Sequence, residues 1–384
     1  MPASRPTLFH LNTSVTLGGA EVYTHFLSSA LQDAGWRNEI VVSQDAQFWP
    51  DLDRREQRAA RYRAVAELDA LPKGSVVFVH APVPADLVAR LRRDHLVAGL
   101  AHQALYSDAV PNYYRGADVV LSVSQYVIAT LEKAGIRHAY PQPLWGVAIL
   151  RRDAGDKPLA RGALCEWDKR KVRDRLLEFL EPAANALRDK TPYAKRPGLT
   201  LGIVSRIAPL KQFPALFQVI APILAKQPDV NLEIFGSAIG YAPLRDLRKA
   251  LHGLGGQVRW WGFQSDVANV YGQIDYLLTG LPEREALGLN VIEAHQCGLP
   301  VLAPNAPPFT ETMVDGETGY LFTDPRKDGG EDFRRVLDAA RARRPDPRLA
   351  NHHLERFSHE AFVQRADAVV RDLVNNRSTW KRND

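Results

Sequence analysis

Residues Leu199–Gly236 read LTLGIVSRIAPLKQFPALFQVIAPILAKQPDVNLEIFG. An apolar, β-branched run (LTLGIVS) leads into a polar turn. A stretch with helical apolar spacing follows (FPALFQVIAPILAKQ), and then a second β-type run (NLEIFG). Strand, covering helix and strand in that order describe one βαβ unit, with its strands parallel and its helix packed on the sheet.

The alternation extends in both directions. Downstream lie VRWWG from Val258, DYLLTG from Asp275, PVLAP from Pro300 and GYLF from Gly319. Upstream, TLFHLN from Thr7, NEIVVS from Asn38, SVVFVH from Ser75, LVAGLAH from Leu96 and DVVLSVS from Asp118 form a separate series, with GAEVYTHFLSSALQDAG as its first helix. Two such series predict an α/β fold of two Rossmann-like domains whose parallel sheets face a central cleft. The expected boundaries are 1–150 for the N-terminal domain, 151–197 for a charged linker or insertion, 198–358 for the C-terminal domain, and 359–384 for a C-terminal helix with a frayed polar tail. Within the insertion, Asp168–Leu187 reads as a charged helix.

Composition narrows the class. Of 384 residues, 45% are hydrophobic and 24% charged, the balance of a well-packed soluble enzyme. Two cysteines, Cys165 and Cys297, are too few for a disulfide framework and suit a reducing cytoplasm. No secretory leader and no run of apolar residues long enough to span a bilayer is expected. A net charge of +5 permits weak attraction to an anionic surface. The positive charges are spread and mixed with acids, so no nucleic-acid partner is expected. Arg-rich stretches such as RREQRAARYR leave peripheral contact with an anionic inner membrane surface as a further expectation. Asp51 and Asp53 form a DxD inside the charged, helix-like run DLDRREQRAARYR and are assigned to the surface, so no metal site is expected.

The chemistry concentrates at strand ends. In EREALGLNVIEAHQCG, Glu283–Gly298, the carboxylates of Glu285 and Glu293 stand about 80° apart in helical projection. A helix starting near Ala286 or Leu287 leaves Glu285 in the loop ahead and Glu293 on about the second turn. N–H groups around Leu287, Gly288 and Leu289 would then point out of the helix, where unpaired donors and the positive dipole end favour an anion. An acid on either side of a phosphate matches ribose, diphosphate and hexose in a nucleotide sugar. Arg206 and Lys211, after the strand LTLGIVS, can clamp a diphosphate and stabilise its charge as it departs. In the first half, Gly18 and Gly19 sit between a strand and a helix, where a phosphate can approach the backbone. His80 and His102 end their strands; His80 reads as a packing residue and His102 as a sugar or reaction-centre contact. Gly236 closes NLEIFG and Phe263 follows VRWWG; their backbone groups can read a nucleobase edge.

With these residues in hand, the second half resembles the retaining nucleotide-sugar glycosyltransferases of GT-B fold grouped as glycosyl transferases group 1. The motifs GIVSRIAPLKQF, LEIFGS, VRWWGFQSDVANVYGQIDYLLTG, EREALGLNVIEAHQCGLPVLAP and FTETMVDGETGYLF occur in the family's order over Leu199–Phe322. The first half matches more loosely, through GGAE at Gly18–Glu21, His102 and ADVVLSVSQYVIATLEKAG from Ala117. The resemblance implies that Arg206 and Lys211 hold the diphosphate, Glu285 the transferred sugar and Glu293 the ribose. It places Gly18 and Gly19 over the phosphates and His102 near the sugar. Thr279 and Gly280 stand where the family has Pro-Ser, and Leu287 where it has Phe.

The activity implied is metal-independent, retaining hexosyl transfer from a UDP- or GDP-type donor to a glycan or glycolipid hydroxyl, in the cytoplasm, in polysaccharide or lipopolysaccharide assembly and with no cofactor. The C-terminal domain would bind the nucleotide sugar and the N-terminal domain the acceptor. A nucleotide-sugar epimerase of the same fold and a basic nucleic-acid-binding protein are the alternatives.

Overall fold

The computed structural model describes residues 5–107, 109–147, 158–167, 173–179 and 191–382. The chain forms two compact units, Met1–Ile149 with Glu355–Asp384, and Leu150–Leu354.

In the first unit, strands β1 (Leu8–Asn12), β2 (Asn38–Val42), β3 (Tyr62–Ala64), β4 (Val76–Val79), β5 (Leu96–Ala101) and β6 (Val119–Ser122) form one parallel sheet in the order β3-β2-β1-β4-β5-β6. Central strand β4 is apolar throughout because helices cover both faces; Val76, Val77, Phe78 and Val79 are all buried. The helix Gly19–Asp33 turns Tyr23, Phe26, Leu27, Ala30 and Leu31 inward, a stripe at helical spacing. The chain order reverses between β1 and β4, so the switch point of this sheet lies there.

Three expectations change here. The charged run from Asp51 is not helical throughout: its helix, Trp49–Glu56, ends at left-handed Gln57, and Tyr62–Ala64 adds an edge strand. Three residues with one apolar neighbour pattern leave almost no strand signal. Asp53 is also not a solvated surface acid. Its Oδ1 accepts hydrogen bonds from His25 Nε2 at 2.9 Å, Tyr62 Oη at 2.7 Å and the Ala60 N–H at 3.2 Å, tying helix, loop and strand together. Asp51 does face solvent.

The tail is docked, not frayed, as far as Arg382. The helix His359–Asn375, capped by the Ser358 hydroxyl on the Ala361 N–H, lays Phe362, Ala366, Val369, Val370 and Leu373 against the first unit. Beyond it, Arg377 donates to the Gly74 carbonyl, Trp380 stacks beside Tyr140, and Lys381 reaches the His95 carbonyl at 2.6 Å. Buried Asp118 anchors this end, accepting from Arg92 Nε at 2.9 Å, the Val97 N–H at 2.9 Å and the Arg382 N–H at 3.2 Å.

In the second unit, β8 (Leu199–Val204), β9 (Val230–Phe235), β11 (Val258–Gly262), β12 (Tyr276–Leu278), β13 (Val301–Pro304) and β14 (Gly319–Phe322) form a parallel sheet in the order β11-β9-β8-β12-β13-β14. Leu201, Ile203, Leu232, Ile234, Leu278 and Phe322 pack on one face, and Val204, Phe235, Leu277, Ala303 and Leu321 on the other. That alternation is the period-two side-chain pattern of strands buried on both sides. The switch point here is between β8 and β12.

The described part of the insertion packs on the second unit. Two-residue strands β7 (Cys165–Glu166) and β10 (Ala238–Ile239) pair in parallel, and Gly162 and Ala163 bond the main chain at Trp261 and Phe263. Residues 173–179 are helical, within the predicted Asp168–Leu187; its remaining residues lie outside the described ones. Among the described residues, no helix is long and apolar enough to cross a membrane.

Candidate active site

Two loops meet at the β8/β12 switch point of the second unit. After β8 the chain makes a short turn, Pro209–Lys211, and after β12 it runs through Glu285 to the helix Leu289–Gln296. Lys211 Nζ and a Glu285 carboxylate oxygen form an ion pair across this point, with side chains 22% and 14% exposed. Glu285 Oε1 also accepts from the N–H groups of Ala286 at 3.2 Å and Gly288 at 3.3 Å. Burial alone would favour the neutral acid. The Lys211 ammonium and these two N–H groups outweigh it and hold the carboxyl below its ordinary range. Glu285 is therefore an anion at neutral pH, able only to accept hydrogen bonds.

The helix begins at Leu289, not near Ala286 or Leu287. Gly288 caps it at φ +79°, a left-handed conformation that cannot lie inside a helix. Of the three N–H groups predicted to face an anion, that of Gly288 is already taken by Glu285. The first-turn N–H groups of Leu289 and Asn290 have no partner among the described residues. Asn290 Nδ2 bonds the Val204 carbonyl at 3.3 Å, which fixes the helix start at the carboxyl end of β8. The Leu287 side chain is buried, so only its main chain is presented. Glu293 falls on the second turn as predicted and accepts from Tyr271 Oη at 2.9 Å. Burial raises the Tyr271 hydroxyl well above its usual range and keeps it a donor.

Arg206 follows β8 on the same rim as Lys211, but each cation has its own carboxylate. Arg206 bonds Glu166 Oε2 at 2.8 Å, while Glu166 Oε1 accepts from Ser237 Oγ at 2.6 Å. Of the backbone groups of Gly236 and Phe263 expected to read a base, the N–H groups are already engaged within the second unit. The Gly236 N–H is bonded to the Gly262 carbonyl at 2.7 Å and the Phe263 N–H to the Ala163 carbonyl at 2.9 Å. What Phe263 does offer is an exposed ring.

Several neighbours of this rim were not anticipated. Glu166 sits in a segment read only as linker. Gln212, left-handed at φ 55°, donates from Nε2 to Glu283 Oε2 at 2.9 Å, and Glu283 pairs with Arg326. A polar residue beside a predicted strand end was the available signal; the partner 40 or more residues away was not.

In the first unit, the corresponding rim carries Gly18 and Gly19, with Gly18 as the cap of the Gly19–Asp33 helix and its carbonyl accepting the Val22 N–H at 3.2 Å. His80 and His102 are brought together. His80 Nδ1 lies 3.0 Å from Thr24 Oγ1 and 3.1 Å from His102 Nε2, and His80 Nε2 lies 3.0 Å from His10 Nδ1. His80 is buried, in keeping with its packing reading, whereas residue His102 is partly exposed. Burial depresses all three imidazoles, His10 and His102 to about 3 and His80 well below its ordinary value, so each is neutral at pH 7.

Two Rossmann-like units, one with a cation–carboxylate pair and an open helix turn at its switch point, define an α/β protein of GT-B fold. Residues 188–344 match the family described as Glycosyl transferases group 1, and the chain carries that domain. It is 25% identical over 210 residues to the N-acetyl-alpha-D-glucosaminyl L-malate synthase of Bacillus anthracis, covering 53% of this chain and 54% of that one. The chain thus spans about half the length of this curated relative, and less of the others it matches. Among solved structures it resembles Anabaena Alr3699/HepE in complex with UDP-glucose (TM-score 0.64, 16% identity, 95% of this chain and 99% of that one). It also resembles the lipopolysaccharide outer core galactosyltransferase WaaB (TM-score 0.62, 12% identity, 97% and 100%). At such identities these likenesses establish the fold.

Proposed function

We propose that the protein is a retaining, metal-independent glycosyltransferase. It moves a hexose from a UDP- or GDP-type donor to a hydroxyl of a glycan or glycolipid, in cell-surface polysaccharide or lipopolysaccharide assembly. The observation that carries the reading is the Lys211–Glu285 pair at the β8/β12 switch point, beside the open first turn at Leu289 and Asn290. The WaaB and HepE structures support the acceptor and donor classes by likeness alone.

Each group then has a role. Lys211, Arg206 and the first-turn N–H groups hold the diphosphate, with the main chain at Leu287 and Gly288 shaping the turn. Glu285 accepts from hydroxyls of the transferred sugar and Glu293 from those of the ribose. Gly236 and Phe263 flank the base, Phe263 through its ring. In the first unit, Gly18 and Gly19 approach the phosphates, and His102 meets a sugar hydroxyl. The bond from the anomeric carbon to the phosphate oxygen breaks through an oxocarbenium-like state. The acceptor oxygen bonds the same face, and its proton passes to the departing phosphate oxygen. Arg206 and Lys211 neutralise the charge that grows there; a preorganised donor of this kind is worth about 3–4 kcal/mol.

We place the reaction in the cytoplasm. The reading includes contact with an anionic inner membrane surface, for which Arg54, Arg55 and Arg58 would have to leave Asp51, Glu56 and Asp33. Co-sedimentation with anionic liposomes at low salt checks it.

A thermal-shift screen against UDP, GDP and their hexose conjugates tests the donor, since a ligand bound to the native state raises the melting temperature. No shift with any of them at millimolar concentration removes the proposal. Incubating the donor alone separates the epimerase, which would yield an isomer without an acceptor.

A further inference from the structure

A chain of buried polar groups crosses the switch point of the first unit, and its contacts favour one arrangement of its protons. The Asn12 amide is oriented by the Ser14 N–H, which donates to Oδ1 at 3.1 Å, so Nδ2 is the group that donates to Thr24 Oγ1 at 3.0 Å. The Thr24 hydroxyl proton goes to the Ala20 carbonyl at 2.8 Å, which can only accept. Thr24 Oγ1 then has one lone pair left, facing His80 Nδ1 at 3.0 Å, and that nitrogen must carry a proton. A neutral His80 has an unprotonated Nε2, which accepts from His10 Nδ1 at 3.0 Å. His10 thereby keeps its buried, unpartnered Nε2 as a bare lone pair. The opposite polarity would bury an orphan N–H at that atom. It would also turn the Thr24 proton away from the Ala20 carbonyl toward His80, leaving two acceptor oxygens facing each other at 2.8 Å.

The same His80 Nδ1–H also faces His102 Nε2 at 3.1 Å. We infer that His80 is a positioning residue that fixes His102 as its Nδ1–H tautomer, so that His102 offers substrate a hydrogen-bond donor and not a base. His102 Nδ1 has no partner among the described residues and is not among the buried orphan atoms, so this N–H is free to meet a ligand oxygen. A free imidazole in water favours the proton on Nε2; the chain from Asn12 through Thr24 and His80 reverses that preference. The ligand class is an oxygen acceptor, a sugar hydroxyl or a carbonyl; this half of the inference rests on the function proposed above.

Long-range proton–nitrogen NMR of the full chain, labelled with 15N-histidine, reads the tautomer directly at pH 7, with the His102→Asn spectrum giving the assignment. The expected result is a His102 signal pair with the proton on Nδ1, changing to the Nε2–H form in His80→Phe. His102 on Nε2–H in the wild type, or the same tautomer in a folded His80→Phe, overturns the inference. Should His80→Phe fail to fold, the wild-type spectrum still decides. Transfer rates test the substrate half. An Asn amide nitrogen replaces Nδ1 and a Gln amide nitrogen replaces Nε2. His102→Asn should therefore keep at least about tenfold more kcat/KM than His102→Gln; equal losses, or the reverse order, overturn that half. A wild type inactive on every donor, with the tautomer as expected, refutes the proposed function and leaves the positioning role standing.

Discussion

A side-chain carbon on Gly280 would fall on the carbonyl oxygen of Lys211. The same oxygen accepts the Leu281 N–H at 3.3 Å, so the loops after β8 and β12 touch through their main chains just behind the Lys211–Glu285 pair. Gly280, where the resemblance puts the family's Ser, has no room for a side chain in this loop contact. Gly280→Ser should push the Lys211 main chain away, abolish the donor's thermal shift and lower the stability of the second unit by about 1–3 kcal/mol. Gly253→Ser, with open space around the added carbon, serves as the control. Unchanged donor binding in Gly280→Ser would show that the loop contact is slack.

Removing Lys211 has two effects that can be separated. Glu285 is largely buried, so Lys211→Met leaves its charge with only the Ala286 and Gly288 N–H groups. We expect a loss of about 1–3 kcal/mol in urea denaturation, most of it recovered in Lys211→Met/Glu285→Gln, where the unpaired charge is gone. Turnover should fall by about 10²–10³-fold in the single variant and stay down in the double. If the double variant restores turnover as well as stability, the pair is structural and its catalytic assignment fails.

Five imidazoles set the acid response. Burial depresses His10, His80, His95 and His102 in the first unit, and it depresses His295 in the second. Unfolded imidazoles bind protons below about pH 6.5 and these folded ones do not, so their contribution to stability is complete above that pH and is lost as the pH falls. Each can contribute up to about 1.4 kcal/mol per pH unit, so His10, His80 and His102 together should weaken the first unit by up to roughly 4 kcal/mol per unit between pH 6 and pH 4, with His95 adding to it. Glu285 adds a second, lower window. Its depressed pKa stabilises the fold above about pH 4.3, and this contribution is lost as the pH falls below that. Denaturation at pH 7.5, 6 and 5 measures the first effect; stability flat across that range would mean the histidines are not held neutral.

The parts legible in the sequence are those whose signal is local. Continuous apolar runs such as VVFV and LTLGIV located the buried strands, because helices on both faces leave no polar side. Glu293 was placed on its turn because a helix period needs only one helix. The helix start was misplaced because Gly288 reads equally as an open helix turn or as its cap, and only its positive φ distinguishes them. Tyr62–Ala64, Cys165–Glu166 and Ala238–Ile239 escaped because strands this short owe their existence to a neighbour's free edge, not to their own composition. Arg206 was identified as a rim cation, but Glu166, which holds it, lies 40 positions earlier in the chain, and spacing carries no trace of that pairing.

The C-terminal tail follows the same logic and yields the last prediction. NNRSTWKRND is polar and looks unstructured, yet Arg377, Lys381 and Arg382 cap main-chain carbonyls that the first unit would otherwise leave open. The key partner is Asp118, buried at the foot of β6, whose charge is met by Arg92 and Lys381 and by the N–H groups of Val97 and Arg382. Deleting residues 377–384 removes one cation and one N–H from a carboxylate that cannot reach water without opening the unit. A buried charge stripped of part of its shell costs about 2–4 kcal/mol, so the truncated chain should melt several degrees lower. Asp118→Asn should be less damaging in the truncated chain than in the full one, because the charge it removes is then the one left unsatisfied. Equal effects in both backgrounds would show that the tail does not act through Asp118.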